Sequence, residues 1–386
     1  LLVGATPSVA QQVQGLAGPY LAARLAVIDG DHREAAEYFE RALRADPGNP
    51  LLISNAVFAN AALGRWDAAA AIAEDLPPMA SGQELAGLVT FVDTVRSGDL
   101  DRAKAAIEAG RGGGPFVDQL ALGWISLGEG NMDRAEDVFM SLTDDAALSE
   151  LAWLHLALAR AAVGNFEDAE EILSGERAGR ISQTERIVRA RAEILVQLDR
   201  RAEALDLLDG YTQRVPDPAL LALQSRIGAG AEDPYSFVTT AQEGIAEAFF
   251  TVSQGFASDQ SSSLPLIYAR AAHGISPEHT DSVLLAAQML YENEQYDLAA
   301  ETYALVPQDD DQYVEAQMGR AEALERQGDA DAALETLSQL AEARPDLASV
   351  HAALADMLRR KEQCERAIDS YTAALGLVDP DQERNW

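Results

Sequence analysis

The apolar positions of this chain are filled mainly by alanine and leucine, and runs in which β-branched residues alternate with polar ones are scarce. Alanine and leucine favour helix, whereas strict alternation is the pattern of a half-buried strand. The pattern therefore predicts an all-helical protein. The chain has 386 residues, 48% of them hydrophobic and 24% charged, which is the composition of a folded protein with room for more than one core.

One short pattern of small and large residues recurs along the chain. A glycine is followed five residues later by alanine and four residues after that by a large side chain, as in Gly30, Ala35 and Phe39. Glycine can end a helix in a left-handed conformation, alanine lets two helices approach closely, and the large residue lies one turn further along the same face. Most successive copies are about 34 residues apart. The alanines of the nine copies are Ala35, Ala69, Ala103, Ala135, Ala169, Ala204, Ala299, Ala333 and Ala367.

The period, the Ala-x-x-x-aromatic element and the prolines that close second helices, such as Pro47 and Pro345, resemble the tetratricopeptide repeat family. The resemblance covers about residues 16–218 and 280–386. The family's first-helix pattern occurs only in fragments such as Trp153-x-x-Leu156. The resemblance implies an all-α, right-handed α-solenoid of antiparallel helix pairs that binds proteins and is not an enzyme.

Four segments are predicted along the chain. Residues 1–15 are a signal-peptide remnant or flexible terminus, 16–218 an array of about six repeats, 219–279 degenerate repeats with a longer loop, and 280–386 a second array that ends inside a further repeat. The irregular centre is either a tolerated insertion or a bend or contact site. Because no polar capping helix follows Pro380, we expect the natural chain to continue beyond Trp386.

The charge of the chain is strongly negative, with 63 acidic residues against 29 basic ones and a net charge of −34. This balance argues against nucleic acid and anionic membranes as partners, and it indicates either solubility or attraction of a basic partner. No apolar run reaches the length of about 20 residues that a transmembrane helix needs. The first residues, LLVGATPSVA, resemble the end of a secretory signal, which predicts export to a bacterial periplasm, with a cytoplasmic location as the alternative. The layout also looks like that of exported tetratricopeptide proteins of Gram-negative bacteria.

Residues that could carry chemistry are few and scattered. His273 and His279 flank a turn without a third ligand, Cys364 occupies a packing position, and the run at 309–311 lacks the spacing of a calcium loop. No phosphate-binding or nucleophile motif is present. We therefore predict no catalytic residue, no metal and no cofactor.

In the tetratricopeptide family the first helix of each repeat lines the concave face, and the repeat phase indicates which residues would lie there. An apolar N-terminal half and a polar C-terminal half are predicted, with Trp124 as the anchor of peptide recognition. A shift of one or two residues would instead place the apolar side chains in the core. The predicted partner-binding residues are Phe58, Leu88, Val92, Leu120, Trp124, Leu154, Leu158, Arg186, Arg189 and Tyr291, with Glu193, Gln288, Glu322, Asp356 and Arg359 as further candidates.

An arginine-rich stretch between Arg177 and Arg201 either receives an acidic segment or is neutralised by interleaved glutamates. The leading hypothesis is a scaffold that binds a partner protein or peptide on its concave face, in the bacterial cell envelope. The alternatives are a structural subunit packed along its length in a larger assembly and the regulatory part of a larger enzyme. An open groove would favour peptide capture, and a groove filled by the chain itself would favour the subunit.

Overall fold

The computed structural model describes residues 15–77, 80–179, 181–215, 217–231, 233–257 and 263–378. These residues form 21 α-helices and no β-strand, which confirms the predicted all-helical fold. They fall into two compact units that divide between Thr90 and Phe91. The N-terminal LLVGATPSVA segment and Trp386, on which the predictions of export and of a longer chain depend, lie outside the described residues.

The first unit consists of two antiparallel helix pairs and the beginning of a fifth helix. Its core is built from small side chains around the fully buried ring of Phe39, because Ala35 and Ala56 allow the helices to approach closely. Asp31 begins the second helix, and its side chain accepts a hydrogen bond of 2.9 Å from the backbone of Glu34. The helices are α1 (Ala17–Ile28), α2 (His32–Ala45), α3 (Pro50–Ala62), α4 (Trp66–Ala73) and α5 (Gln83–Arg96), within which the boundary between the units falls.

The second unit continues the series of helix pairs, interrupted by three helices that do not follow the pattern. The regular pairs before the interruption are completed by α6 (Leu100–Glu108), α7 (Pro115–Gly128), α8 (Met132–Leu142), α9 (Ser149–Ala162), α10 (Phe166–Leu173), α11 (Glu185–Gln197) and α12 (Arg201–Thr212). The irregular helices are α13 (Pro218–Gly228), α14 (Ala241–Phe256) and α15 (Leu264–Ile275). The later pairs are α16 (Thr280–Glu292) with α17 (Tyr296–Tyr303), α18 (Tyr313–Gln327) with α19 (Ala330–Ala343), and α20 (Ala348–Arg360) with α21 (Cys364–Leu377).

The turn between the two helices of a pair has the predicted left-handed residue in all nine copies of the pattern. Six are glycines with φ between 71° and 99°, such as Gly30 and Gly328. The other three copies keep the conformation without glycine, at Asp199, Glu294 and Glu362, with φ between 57° and 62°. The alanine five residues later is buried in each copy. The backbone therefore preserves the repeat where the sequence pattern has lost its glycine.

The three helices of the irregular centre do not continue the series of helix pairs. Helix α13 packs on α11 and α12 but has no second helix of its own, whereas α14 and α15 pack against each other. Helix α14 also packs on α7 and α9, which are the first helices of two consecutive pairs. The structure thus places α14 on the face that first helices form.

Candidate functional site

The first-helix face between α5 and α9 is covered by the chain's own helix α14. The ring of Phe249 on α14 lies 6.2 Å from that of Phe91, and the side chain of Gln242 donates a hydrogen bond of 2.9 Å to the carbonyl of Val95. Eleven of the sixteen residues of α14 are buried. A partner helix or peptide therefore finds this face occupied in the structure.

Trp124 is the centre of this covered face and has no exposed surface. Its indole nitrogen donates a hydrogen bond of 2.9 Å to Nδ1 of His155, and Nε2 of His155 lies 3.2 Å from the hydroxyl of Thr251 on α14. Burial lowers the pKa of His155 to about 4, so the ring is neutral at ordinary pH. Against the indole lies Gly244 of α14, where an added Cβ would be 2.0 Å from the ring. Trp124 thus packs as part of the internal core.

The other apolar residues predicted to line the groove are also enclosed. Val92, Leu120 and Leu158 are fully buried, and Leu88 and Leu154 are nearly so. In the first unit, Phe58 is half-buried with its ring 5.8 Å from that of His32. Most of these residues therefore offer no surface to a partner in this structure. Their role in partner binding stays a prediction.

Arg186 on α11 joins α14 to the beginning of the C-terminal repeats through a buried cluster of charges. Its Nε lies 3.0 Å and 3.1 Å from the two carboxylate oxygens of Glu247, and a second nitrogen pairs with Asp281. His279 lies 3.0 Å from the same glutamate through Nε2. The guanidinium also stacks on the ring of Phe237, 4.3 Å from its centroid. Arg186 therefore uses its hydrogen-bonding capacity inside the protein.

The pKa values in this cluster agree with a fully charged pair. Burial alone would raise the pKa of Glu247, but Arg186 and His279 hold it well below its usual range. Burial likewise opposes ionisation of Asp281, and Arg186 is the largest influence that lowers its pKa. Sequence reasoning missed Glu247 and Asp281 because they lie 61 and 95 residues from Arg186 along the chain.

The other arginines of the 177–201 stretch are mostly paired. Arg191 binds Glu170 at 2.7 Å, and Arg200 binds Glu203 at 2.6 Å. Arg189, predicted to face a partner, lies 3.5 Å from Glu193 one helical turn away. This arrangement favours the hypothesis that carboxylates neutralise the stretch, although several of them come from outside it.

The C-terminal repeats form an open groove of about 1490 Å³ between α13, α18 and α20. Its floor carries Met318 and Glu322 of α18 beside Ala353 of α20, and Leu221 of α13 forms part of the opposite wall. The side chain of Leu221 is 47% exposed. We call this space the C-terminal groove.

The polar residues predicted for the C-terminal repeats lie in or beside this groove. Glu322 and Asp356 line it, and the hydroxyl of Tyr291 donates a hydrogen bond of 2.6 Å to Glu322. Arg359 lies 3.5 Å from Asp356, and Gln288 is exposed on α16. The structure therefore brings Tyr291, Glu322 and Asp356 to one surface, whereas their part in binding stays a prediction.

Arginine and tyrosine close one rim of the C-terminal groove. Arg326 lies 4.9 Å above the ring of Tyr296 and 5.8 Å from that of Tyr291, and the two rings are in edge contact at 5.3 Å. Arg326 also donates a hydrogen bond of 2.5 Å to the hydroxyl of Tyr296. The rim is thus preformed by aromatic residues, which are frequent in protein interfaces.

A second, smaller cavity of about 290 Å³ lies between α9, α11 and α14. Leu154, Ile187 and Phe250 give it an apolar lining, and Arg186 with Glu247 forms its polar end. Because both charged side chains bind each other, they leave little capacity for a polar ligand.

Neither a metal centre nor a membrane span is formed by the part of the chain that the structure describes. Among these residues no three His, Cys, Asp or Glu side chains come close enough to hold a metal ion. No described helix is both long and apolar enough to cross a bilayer.

Comparison with known families agrees with the repeat geometry. Two sequence patterns, each described as tetratricopeptide repeat, match the chain, one at residues 26–90 and the other at residues 284–348 and 318–382. The chain contains tetratricopeptide repeats. Such repeats typically mediate protein–protein interaction and are generally not catalytic. No curated protein matches the chain.

Several solved structures of tetratricopeptide proteins are similar to the chain at a low level. Yeast Tom70 is 14% identical, with 94% of this chain and 77% of that chain covered and a TM-score of 0.31. The tetratricopeptide domain of P58(IPK) is 16% identical, with 95% and 94% covered and a TM-score of 0.26. A double mutant of MamA RS-1 is 14% identical, with 51% and 96% covered and a TM-score of 0.31. Similarity at this level carries no argument about function.

Proposed function

We propose that this chain is a non-catalytic scaffold that holds a partner protein in the C-terminal groove. The observation that carries the proposal is the open space of about 1490 Å³ on first helices α18 and α20, with apolar and charged side chains interspersed. Tetratricopeptide repeats typically serve protein–protein interaction, and the first-helix face between α5 and α9 is already covered by α14. The C-terminal groove is therefore a first-helix surface that α14 leaves open.

A photo-crosslinking residue placed in the full chain tests this proposal. It replaces Leu221 or Ala353 in the groove, and in the matched control it replaces Gln339, which is exposed on α19. We expect the two groove positions to crosslink to the same partner in native extract and the control position to give no such product. Equal crosslinking at all three positions would contradict groove binding.

A structural subunit packed along its length is the second candidate, and the covered face between α5 and α9 favours it. A face that the chain fills itself contributes to rigidity and not to capture of a peptide. The same experiment separates the two functions, because a subunit would crosslink to neighbours from the outer position Gln339 as well as from the groove.

We further propose that the protein acts in the bacterial cell envelope. The support is the sequence LLVGATPSVA, which resembles the end of a secretory signal. Fractionation of cells that express the natural gene, with detection by antibody, should find the protein in the periplasmic fraction. Recovery only with cytoplasmic markers would contradict this location.

A further inference from the structure

The C-terminal groove contains four arginines, and each of them is already engaged. Arg226 binds Asp311 at 3.0 Å, Arg344 binds Asp346 at 3.2 Å, and Arg360 binds Glu325 at 2.6 Å. Arg326 packs against two tyrosine rings at the rim. The positive charge of the groove is therefore largely satisfied by the protein itself.

The acidic side chains of the groove are less well satisfied. Glu315 projects from α18 into the groove and makes neither a hydrogen bond nor an ion pair with any part of the chain that the structure describes. Asp217 lines the same space, where its side chain caps α13 at 2.8 Å from the backbone of Leu220 and binds no cationic side chain among the described residues. Glu322 accepts a hydrogen bond from Tyr291 and pairs with no cation in the part of the chain that the structure describes. The uncompensated charge in the groove is negative.

The surroundings of Glu315 disfavour its ionised form. Desolvation by the walls raises the pKa of Glu315, and the neighbouring carboxylates Asp217 and Asp281 raise it further. A cation at this position would relieve the repulsion and form a charge-assisted hydrogen bond. Since the whole chain carries a net charge of −34, a basic partner would also be attracted over longer distances.

The size and lining of the groove suit a helix. The groove is open and has a volume of about 1490 Å³, and a helix is about 10 Å across and rises 1.5 Å per residue. Leu221, Met318 and Leu347 provide apolar contacts for one side of it. The first-helix face of the earlier repeats already holds a helix of this chain, because α14 packs on α7 and α9.

We propose that the C-terminal groove holds a cationic amphipathic helix of a partner protein, with a lysine or arginine of that helix placed between Glu315 and Asp217. The apolar stripe of the helix lies on Leu221 and Met318. This inference rests on the proposed function, because it specifies the chemistry of the partner at the same groove.

Fluorescence anisotropy with the full chain and three labelled peptides tests the proposal. The first peptide is a 14-residue helix with a leucine stripe and lysines on the other face. The second has the same composition in scrambled order, and the third has glutamate in place of each lysine. We expect the cationic amphipathic peptide to bind at least tenfold more tightly than the scrambled peptide, and the acidic peptide not to bind. Equal binding of the first two peptides, or binding of the acidic one, would overturn the proposal.

Two substitutions that each remove one negative charge locate the binding site. Glu315→Gln should weaken binding of the cationic amphipathic peptide about tenfold, which is the order expected for one charge-assisted contact. Glu335→Gln removes the same charge from the exposed surface of α19 and should leave the affinity unchanged. Equal effects of the two variants would show attraction by bulk charge and would overturn the placement at Glu315. Thermal melts check that both variants are folded.

Failure of the cationic-helix proposal can be distinguished from failure of the proposed function. Crosslinking of a partner at Leu221 and Ala353 without binding of the cationic peptide would refute only the chemistry of the partner. Absence of both would refute the use of the groove itself.

Discussion

The first-helix faces of the earlier and the later repeats differ in what lies on them. Between α5 and α9 the face is covered by α14, and Trp124 is enclosed with no exposed surface. Between α18 and α20 the corresponding face is open, and Leu221 and Glu315 remain accessible. Both regions follow the same repeat pattern. In this chain the irregular segment between the arrays, and not the repeat pattern, therefore closes one of these two faces to a partner.

Among the charge substitutions, removing the charge of Glu247 should produce the largest effect on stability, because Glu247 fixes α14 to Arg186. In Glu247→Gln the buried guanidinium loses its principal carboxylate, and breaking a buried pair in this way costs about 3 kcal/mol or more of the free energy of unfolding. Urea denaturation followed by circular dichroism measures the loss. As control, Glu203→Gln removes an exposed partner of Arg200 and should leave the midpoint unchanged. Similar midpoints for the two variants would mean that the cluster does not hold the covered face together.

Glu185 on α11 is influenced by the charges of Asp281 and Asp217. We expect the effect of its substitution on the free energy of unfolding to depend on pH. Burial, followed by the charges of Asp281 and Asp217, raises the pKa of Glu185 to about 7, and its buried Oε1 has no hydrogen-bond partner. In the unfolded chain this pKa is about 4.3. Between these values the folded state retains a proton that the unfolded state has lost, so stability falls as the pH rises.

Glu185→Gln removes this penalty. We expect the variant and the natural chain to be equally stable near pH 4, and the variant to become more stable as the pH rises to 8, by about 2 to 3 kcal/mol. Urea midpoints measured across this range give the difference. Glu176→Gln, at an exposed position, should show a difference that does not change with pH. A flat profile for Glu185→Gln would contradict the raised pKa.

Two glycines of the same helix offer a direct test of the contact between α14 and Trp124. Gly244→Ala would place a Cβ 2.0 Å from the indole, whereas Gly255→Ala meets open space. The first substitution should destabilise the protein by about 1 to 3 kcal/mol through overpacking. The second should be neutral or slightly stabilising, because alanine favours helix.

A double-mutant cycle that combines Gly244→Ala with Trp124→Phe tests whether the steric clash arises between these two residues. The smaller ring should recover part of the loss caused by Gly244→Ala, so that the two substitutions are not additive. Melting temperatures of the four proteins give the coupling. Strict additivity would mean that α14 does not lie against Trp124.

The repeat architecture could be predicted from the sequence because its determinants are local. The left-handed turn and the buried alanine five residues later recur at fixed spacing, as at Gly30 with Ala35. Even Asp199 could be aligned, since Ala204 and Leu208 keep the phase. Helix pairs that contact only their neighbours leave little for distant parts of the chain to decide.

The position of α14 could not be predicted in this way, because it depends on contacts between segments far apart in sequence. One signal was nevertheless present. The helix is apolar around most of its circumference, because Ile245, Phe249 and Val252 share one face while Phe250, Ala246 and Ala248 lie on others, and such a helix is usually buried. Its single enclosed carboxylate, Glu247, also requires a partner. These features indicate burial of the helix but not which face receives it.

The smallest effect on stability is expected at Leu221, and it sharpens the contrast between core and groove within one helix. Leu220 is fully buried among Val188, Leu195 and Leu208, whereas the adjacent Leu221 is 47% exposed in the groove. Leu220→Ser should therefore cost about 3 kcal/mol or more, and Leu221→Ser should stay within about 0.5 kcal/mol. Thermal unfolding measures both.

Leu221→Ser should affect peptide binding more than it affects stability. Leu221→Ser leaves the fold intact but removes an apolar contact from the groove wall, so the affinity for the cationic amphipathic peptide should fall several-fold while the melting temperature is unchanged. Gly255→Ala, a substitution on α14 outside the C-terminal groove, serves as the control for binding. If Leu221→Ser changes neither stability nor affinity, the space between α13, α18 and α20 is only a gap left by the irregular centre. Loss of affinity without loss of stability would make it a surface on which the repeats bind another protein.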